Sequence, residues 1–424
     1  VVAPAAAFGG PAPGAGRDPA ALGLADVANR PLQAVVGLEP AELTDLLSDA
    51  LQERGPALLP LDPALPRPRL EAVLEAMRPA SLRTPEGVTH LGGSRGTGED
   101  IALTIATSGS TGTPKGVELP APALLASARA SLRRIGAAEG DRWLCVLPHA
   151  HISGLLVLVR ALAAGTEPVV EPFEPAAAMR AAARHRPHVS LVPTQLRRLV
   201  DAGCDLSAFG TILVGGAAAQ PHLLEAARVA GGRVVTTYGM SETSGGCVYD
   251  GEPLEGVHAR LEDDGRILLG GPVLFSGYRL DPGATAVSLV PGEDGARWLR
   301  TSDLGRFDAR GRLVVRGRLD DVVNTGGHKV VPGEVAALLM RLDSVADAAV
   351  VGRPDPEWGQ RVTAVVVPAD PAAPPGLEEV RAWVAQHLPR YAAPRELEIR
   401  SSLPLLTSGK PDLATLRAGA VERD

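Results

Sequence analysis

From residue 101 onward, short apolar runs alternate with amphipathic segments, and that alternation leaves the chain few architectures. The runs at 101–106, 143–147, 188–192, 211–214 and 233–237 have strand length and little charge. Between them, 121–135, 153–164, 175–185, 194–201 and 220–229 space their apolar residues as helices do. Strands that are apolar throughout are buried on both faces. The pattern therefore predicts an α/β fold built on a mainly parallel, doubly covered sheet. An earlier helix is expected at 40–54, where Leu43, Leu46, Leu47, Ala50 and Leu51 share one face and Gly55 ends the run. Residues 1–20, rich in Ala, Pro and Gly, are expected to be poorly ordered.

After Glu242 the character changes. Gly and Pro become frequent through 250–318, and short apolar runs at 266–269, 298–300 and 313–315 predict an antiparallel β module. Beyond Asp320-Asp321 a further hundred residues carry helical patterns at 332–341 and 377–387 and strand patterns at 348–351 and 362–367. That length suits a small separate domain. The division expected is 1–319 for a large N-terminal domain and 320–424 for a small C-terminal one.

Composition removes several function classes. The 424 residues hold 42 Lys+Arg against 49 Asp+Glu, a net charge of −7, and only 3% aromatics. Neither a basic nucleic-acid or membrane-surface binder nor a stacking platform for single strands fits that balance. Cys145, Cys204 and Cys247 are too few and too far apart for a disulfide framework or a structural zinc site. No 18-residue apolar stretch and no secretory leader are visible, so a cytoplasmic protein is expected. Oligomeric state is left open, a homo-oligomer included.

Only three of the basic residues are lysine: Lys115, Lys329 and Lys410. A chain that otherwise uses arginine reserves lysine for places where a compact point charge is needed. All three lie beside glycine in polar segments. Lys115 belongs to a ten-residue run, Thr107, Ser108, Gly109, Ser110, Thr111, Gly112, Thr113, Pro114, Lys115 and Gly116, directly after a predicted strand. Glycines admit backbone N–H groups to an anion, while five hydroxyls and an ammonium add donors and charge, a chemistry that suits a polyphosphate. A Walker A loop needs Gly-Lys-Ser/Thr, so a P-loop NTPase is rejected. A flexible Gly/Ser linker rarely carries Pro-Lys-Gly.

Three further constellations follow in order. Thr237, Tyr238, Gly239, Met240, Ser241 and Glu242 put a ring, a hydroxyl and a carboxylate on one turn, where Glu242 has the hard oxygen that Mg2+ prefers. Thr301-Ser302-Asp303 and Gly317-Arg318-Leu319-Asp320-Asp321 offer Asp303 to a ribose, with Arg318 beside it. Ser408-Gly409-Lys410 closes the series. Singly, each is more often an ordinary turn, a surface ion pair or a frayed tail.

Taken in series, these motifs resemble those of the adenylate-forming superfamily of acyl-CoA synthetases, luciferases and peptide-synthetase adenylation domains, over about residues 35–420. The resemblance implies a large N-terminal domain of layered sheets and helices with a β-barrel-like part, and a small mobile C-terminal lid of α+β type. It implies an AMP-forming acid–thiol ligase using ATP, Mg2+ and coenzyme A. The loop 107–116 would hold the β- and γ-phosphates, Ser241 a phosphate and Glu242 the metal. Tyr238, with Gly239, Met240 and the backbone of Gly216, Ala217 and Ala218, would border adenine. Asp303 and Arg318 would hold the ribose. Lys410 would bridge the carboxylate and the α-phosphate. Asp320 would be the hinge, and Gly326 and Gly327 would approach the pantetheine arm.

Within that superfamily, Leu147-Pro-His-Ala-His-Ile-Ser-Gly-Leu155, Val192-Pro-Thr-Gln-Leu196 and Ser244-Gly-Gly-Cys-Val-Tyr-Asp-Gly251 resemble the o-succinylbenzoate–CoA ligases of menaquinone biosynthesis in a shortened form. His151 would then border the acyl pocket, and Ser244, Gly245 and Gly246 would lie against the substrate's ring. Three alternatives remain at this level. One is another acyl- or aryl-CoA ligase. The others are a stand-alone adenylation domain that loads a carrier protein and a non-catalytic nucleotide-binding regulator. The sequence names no partner for the second carboxylate of the substrate.

Overall fold

The computed structural model describes residues 30–108, 114–293, 295–406 and 411–419. The N-terminal low-complexity segment therefore lies outside the described residues. So do Gly109, Ser110, Thr111, Gly112, Thr113 and Lys410.

Two seven-stranded sheets form the large domain. In the first, Ile101–Ser108, Ala57–Leu61, Leu32–Val36 and Ser81–Thr84 run parallel, extended on one side by Gly87–His90. On the other side come Pro114–Pro120 and then Gly277–Tyr278, both antiparallel. In the second, Val169–Val170, Trp143–Cys145, His188–Leu191, Ile212–Val214 and Val234–Met240 run parallel, and Gly245–Tyr249 folds back antiparallel on the last. The expected parallel sheet is thus one of two.

The helices Pro40–Leu51, Ala121–Ile135 and Ile152–Ala163 share one apolar core with both sheets. Helix Ile152–Ala163 is buried on nearly every face, because it is enclosed by other elements rather than by solvent. Gly154 fits only as glycine, since a Cβ there would come 2.3 Å from the Pro148 carbonyl oxygen. Each buried Leu or Val of this core contributes roughly 1.5–3 kcal/mol.

The expected β module is a five-stranded antiparallel sheet, His258–Leu261, Arg266–Gly270, Arg297–Phe307, Leu289–Pro291 and Leu313–Arg318. The last hundred residues have a core of their own, including Val323, Val335, Val350, Val366, Val380 and Val384. There the hairpin Val323–Thr325/His328–Val330 and the long pair Val345–Asp355/Gly359–Pro368 pack against helices Pro332–Leu339 and Leu377–His387. Contacts with the large domain combine close backbone packing of Gly317 against Val331 and Gly333 with polar bonds. Arg316 donates to both oxygens of Glu334 at 2.6 and 2.7 Å, and Gln220 donates to Asp347 at 2.8 Å. No helix among the described residues is long and apolar enough to cross a membrane.

Candidate active site

In parallel α/β sheets ligands lie outside the carboxyl ends of the strands, and the predicted residues gather there. His151 precedes the helix that follows Trp143–Cys145. Gly216, Ala217 and Ala218 form the loop after Ile212–Val214, and Ser241 and Glu242 end Val234–Met240. In the first sheet, Thr107 and Ser108 pair with Lys115 and Pro114, so the phosphate run spans the turn of a β-hairpin.

The acidic turn is held by Thr243, which no motif singled out. Its hydroxyl accepts from the Met240 N–H at 2.9 Å and donates to the Gly245 carbonyl at 2.7 Å. Gly239 permits the fold-back: a Cβ there would lie 2.1 Å from the Gly245 carbonyl oxygen. Half-buried Ser241 and Glu242 project from this turn. The Glu242 carboxylate accepts from the Tyr278 hydroxyl at 2.8 Å. Burial, then the nearby Glu242 charge, pushes the Tyr278 phenol well up, so it acts as a donor at any working pH. Lys115 Nζ lies 5.3 Å from the centre of the same ring. The phosphate hairpin and the acidic turn, 127 residues apart in sequence, therefore meet across one tyrosine.

A second group joins two sheets. The Tyr238 hydroxyl donates to Asp303 Oδ2 at 2.8 Å. Arg318, cross-strand from Asp303, lies 3.5 Å from its other oxygen and donates to Asp320 at 2.9 Å. Burial alone would lower the Arg318 guanidinium, yet its bond to Asp320 and the Asp303 charge hold it above its ordinary value. Asp303 itself is set by Thr301, whose hydroxyl accepts from the Asp303 N–H at 3.0 Å. Tyr238, Asp303, Arg318 and Asp320 thus form one chain.

Several expectations change in detail. Gly116 is buried within its strand, and a Cβ there would strike Met77 Sδ at 2.5 Å. The missing Cβ leaves room for Met77. Ser244 is fully buried in a left-handed conformation, and its hydroxyl donates to the Val273 carbonyl at 2.9 Å. That bond occupies Ser244 within the fold. Gly245 and Gly246 leave no open space where a Cβ would project. Leu156 lies 2.5 Å from that point at Gly245, and Thr237 and Tyr249 lie 3.2 and 3.3 Å from it at Gly246. Of the two motif histidines, His149 faces Cys145 Sγ at 3.5 Å, and burial holds its imidazole below the usual value. His151 stands half-buried before the first turn of Ile152–Ala163. Gly326 and Gly327 turn the exposed C-terminal hairpin with φ of 57° and 80°, and Trp358 packs against Gly326.

The fold also buries arginines that no motif marked, Arg160 among them. Arg160, on helix Ile152–Ala163, is 4% exposed. It donates to Tyr249 Oη at 3.1 Å and Ser190 Oγ at 3.3 Å and stacks 5.1 Å over Trp143. Its Nε has no partner, and it forms no ion pair among the described residues. A buried cation without a counterion is costly, and its presence asks for an anion. An arginine within an apolar helix was the available sequence signal.

The AMP-binding enzyme profile matches residues 78–300, and the AMP-binding enzyme C-terminal domain profile matches residues 334–410. This chain belongs to the AMP-binding enzymes. A protein of Mycobacterium tuberculosis (strain CDC 1551 / Oshkosh) named "Probable 2-succinylbenzoate--CoA ligase" is 43% identical over 369 residues, covering 83% of this chain and 94% of that protein. A 2-succinylbenzoate–CoA ligase of Listeria monocytogenes serotype 4b (strain F2365) is 31% identical, covering 73% of this chain and 68% of that protein. Among solved structures, o-succinylbenzoate CoA synthetase (MenE) from Bacillus subtilis, in complex with the acyl-adenylate intermediate OSB-AMP, superposes with a TM-score of 0.77 at 26% identity. That match covers 92% of this chain and 89% of the other. The layered sheets and C-terminal domain of this AMP-binding enzyme are those of adenylate-forming enzymes.

Proposed function

We propose that this AMP-binding enzyme is a 2-succinylbenzoate–CoA ligase. The observation that carries the reading is the 43% identity along 94% of the mycobacterial relative. In the first half-reaction the succinyl carboxylate attacks the α-phosphorus of ATP, a C(O)O–P bond forms and pyrophosphate leaves. In the second the coenzyme A thiol attacks the acyl carbon, a thioester forms and AMP leaves. The product, o-succinylbenzoyl-CoA, serves menaquinone biosynthesis, and the reaction runs in the cytoplasm, where ATP and coenzyme A are supplied.

The residue roles belong to the same proposal. Lys115 and the hairpin between Thr107 and Gly116 take the β- and γ-phosphates, and Ser241 donates to a phosphate oxygen. Asp303 accepts from the ribose hydroxyls, with one oxygen fixed by Tyr238, and the exposed loop of Gly216, Ala217 and Ala218 borders adenine. Glu242 and Ser241 present hard oxygens in one half-buried turn, a donor set that fits Mg2+ completed by waters and substrate phosphates. Mg2+, when bound, neutralises phosphate charge. Positioning and charge placement carry both steps, since the protein does little covalent work. Lys410 serves the first step from a C-terminal lid comprising 320–424. Asp320 is its hinge, and Gly326 and Gly327 approach the pantetheine arm in the second.

His151 borders the acyl pocket and Arg160, nine residues further along on the helix that follows, receives the benzoate carboxylate. Arg160 is a buried cation with no ion pair among the described residues, and the substrate brings an anion. The test is a panel of acids with ATP, Mg2+ and coenzyme A, read as AMP and pyrophosphate release. 2-Succinylbenzoate is expected to exceed benzoate, medium-chain fatty acids and amino acids. Faster turnover of a fatty acid or of benzoate overturns the substrate. Absence of pyrophosphate exchange with every acid overturns the ligase reading.

A further inference from the structure

The two-residue strand Gly277–Tyr278 carries no predicted role, yet it touches both halves of the phosphate site. Its backbone pairs with Glu118 and Val117 of the phosphate hairpin. The Tyr278 N–H donates to Thr285 Oγ1 at 2.8 Å, and the ring meets Phe275 edge-on at 4.9 Å. Phe275 in turn donates its N–H to the Glu242 carbonyl at 2.9 Å. Next to Tyr278, buried Arg279 fastens the strand from behind. Its N–H donates to the Gly116 carbonyl at 2.7 Å, and its guanidinium donates to the Met77 carbonyl at 2.5 Å and to Glu118 Oε1 at 3.0 Å. The tyrosine is thus held by backbone and packing, independently of the two charges that it contacts.

Those charges are Glu242 and Lys115. An ammonium and a carboxylate at such a site would neutralise each other if they touched. Neither forms an ion pair among the described residues. The Tyr278 hydroxyl takes Glu242 Oε1, and the Tyr278 ring lies under Lys115 Nζ. We propose that Tyr278 is a positioning residue that keeps Lys115 and Glu242 apart and orients the Glu242 carboxylate so that its second oxygen faces the metal–polyphosphate complex. The proposal rests on the reading of Glu242 as the metal-holding carboxylate and adds the residue that aims it.

The test uses the whole chain, a non-hydrolysable ATP analogue and Mn2+ as the metal probe, with free Mn2+ followed by electron paramagnetic resonance. Tyr278→Phe keeps the ring and removes the hydroxyl; Glu242→Gln is run in parallel. Tyr278→Phe is expected to weaken Mn2+ binding in the nucleotide complex about tenfold, the scale of one hydrogen bond to a charged group. The Mg2+ concentration for half-maximal pyrophosphate exchange should rise by about the same factor. Metal-free nucleotide binding and the urea unfolding midpoint should stay as in the parent. Parental Mn2+ affinity in Tyr278→Phe, with loss in Glu242→Gln, overturns the role of Tyr278. Equal weakening of metal-dependent and metal-free binding also overturns it, because a loosened fold gives that result. Parental Mn2+ affinity in Glu242→Gln overturns the underlying reading of Glu242 instead.

Discussion

Arg160→Met separates what the fold needs from what the substrate needs. Holding a guanidinium out of water without a counterion costs several kcal/mol. Against that stand two hydrogen bonds to neutral hydroxyls, Tyr249 at 3.1 Å and Ser190 at 3.3 Å, and the face of Trp143 at 5.1 Å. Such bonds from a charged donor return about 1.5–3 kcal/mol each at best, and the ring about 2 kcal/mol. The charge therefore comes near break-even. Methionine keeps an apolar stem of similar length, and Tyr249 keeps its bond to Ser131 at 2.7 Å. The unfolding free energy is expected to stay within about 2 kcal/mol of the parent, moving up rather than down.

Activity should move the other way. Truncating one side of a buried charge pair costs about 2–5 kcal/mol, or roughly 30- to 5,000-fold in kcat/KM for 2-succinylbenzoate. For 4-oxo-4-phenylbutanoate, which lacks the benzoate carboxylate, Met should equal or exceed Arg, since no anion is then left unpaired. The assay is pyrophosphate release for two enzymes and two substrates, with urea unfolding alongside. Equal loss on both substrates, or a destabilised variant, would refute the assignment and make Arg160 a structural residue.

The remaining predictions concern the lid. Lys410→Ala is expected to lower adenylation at least about 10²-fold, the scale of one preorganised charge stabiliser, while supplied acyl-adenylate is still converted to thioester; equal loss in both half-reactions, measured separately, removes the lid-switch role. Asp320→Pro stiffens the turn Leu319–Asp321 and restricts Leu319 before it. Pyrophosphate exchange should then stay near the parent level while thioester formation falls, and normal rates in both steps would move the hinge elsewhere.

Where the sequence pattern had a single cause, it was legible. Helices Ala121–Ile135, Pro175–His185 and Leu377–His387 fall where the 3.6-residue spacing put them, because their buried faces alone decide the matter. Of the first sheet, the residue pattern marked only the strand at 101–106. Pro60 sits inside the parallel strand Ala57–Leu61, and a proline argues against an interior strand when pairing is unknown. Buried Gln33 broke the neighbouring apolar run, yet it is satisfied by Ser81, 48 residues away. Neither partner is predictable until the strands are side by side. The strand Pro114–Pro120 runs past the motif, and Val117 and Leu119, for which no element was expected, are fully buried.

At the proposed site, sequence motifs marked the candidate ligand-facing groups and concealed the residues packed against them. A phosphate loop needs glycine, hydroxyls and an ammonium close together in the chain, so its chemistry survives as a string. The residues that aim those groups act across the fold, and their spacing in sequence carries no information. Tyr278 reaches Glu242 from 36 residues away, and Arg160 reaches Tyr249 from 89. Glycines read in the opposite direction. Gly245 reads as room for a ring and Gly116 and Gly239 as nucleotide contacts; the structure puts Leu156, Met77 and the Gly245 carbonyl where their missing Cβ atoms would be. A glycine permits close approach without specifying what approaches. A buried charge is less ambiguous. An arginine in a helix whose other faces are apolar has to be answered by something, and no described acid answers it. The question Arg160 raises is therefore chemical, and the two-substrate comparison of Arg160→Met decides whether a substrate carboxylate answers it.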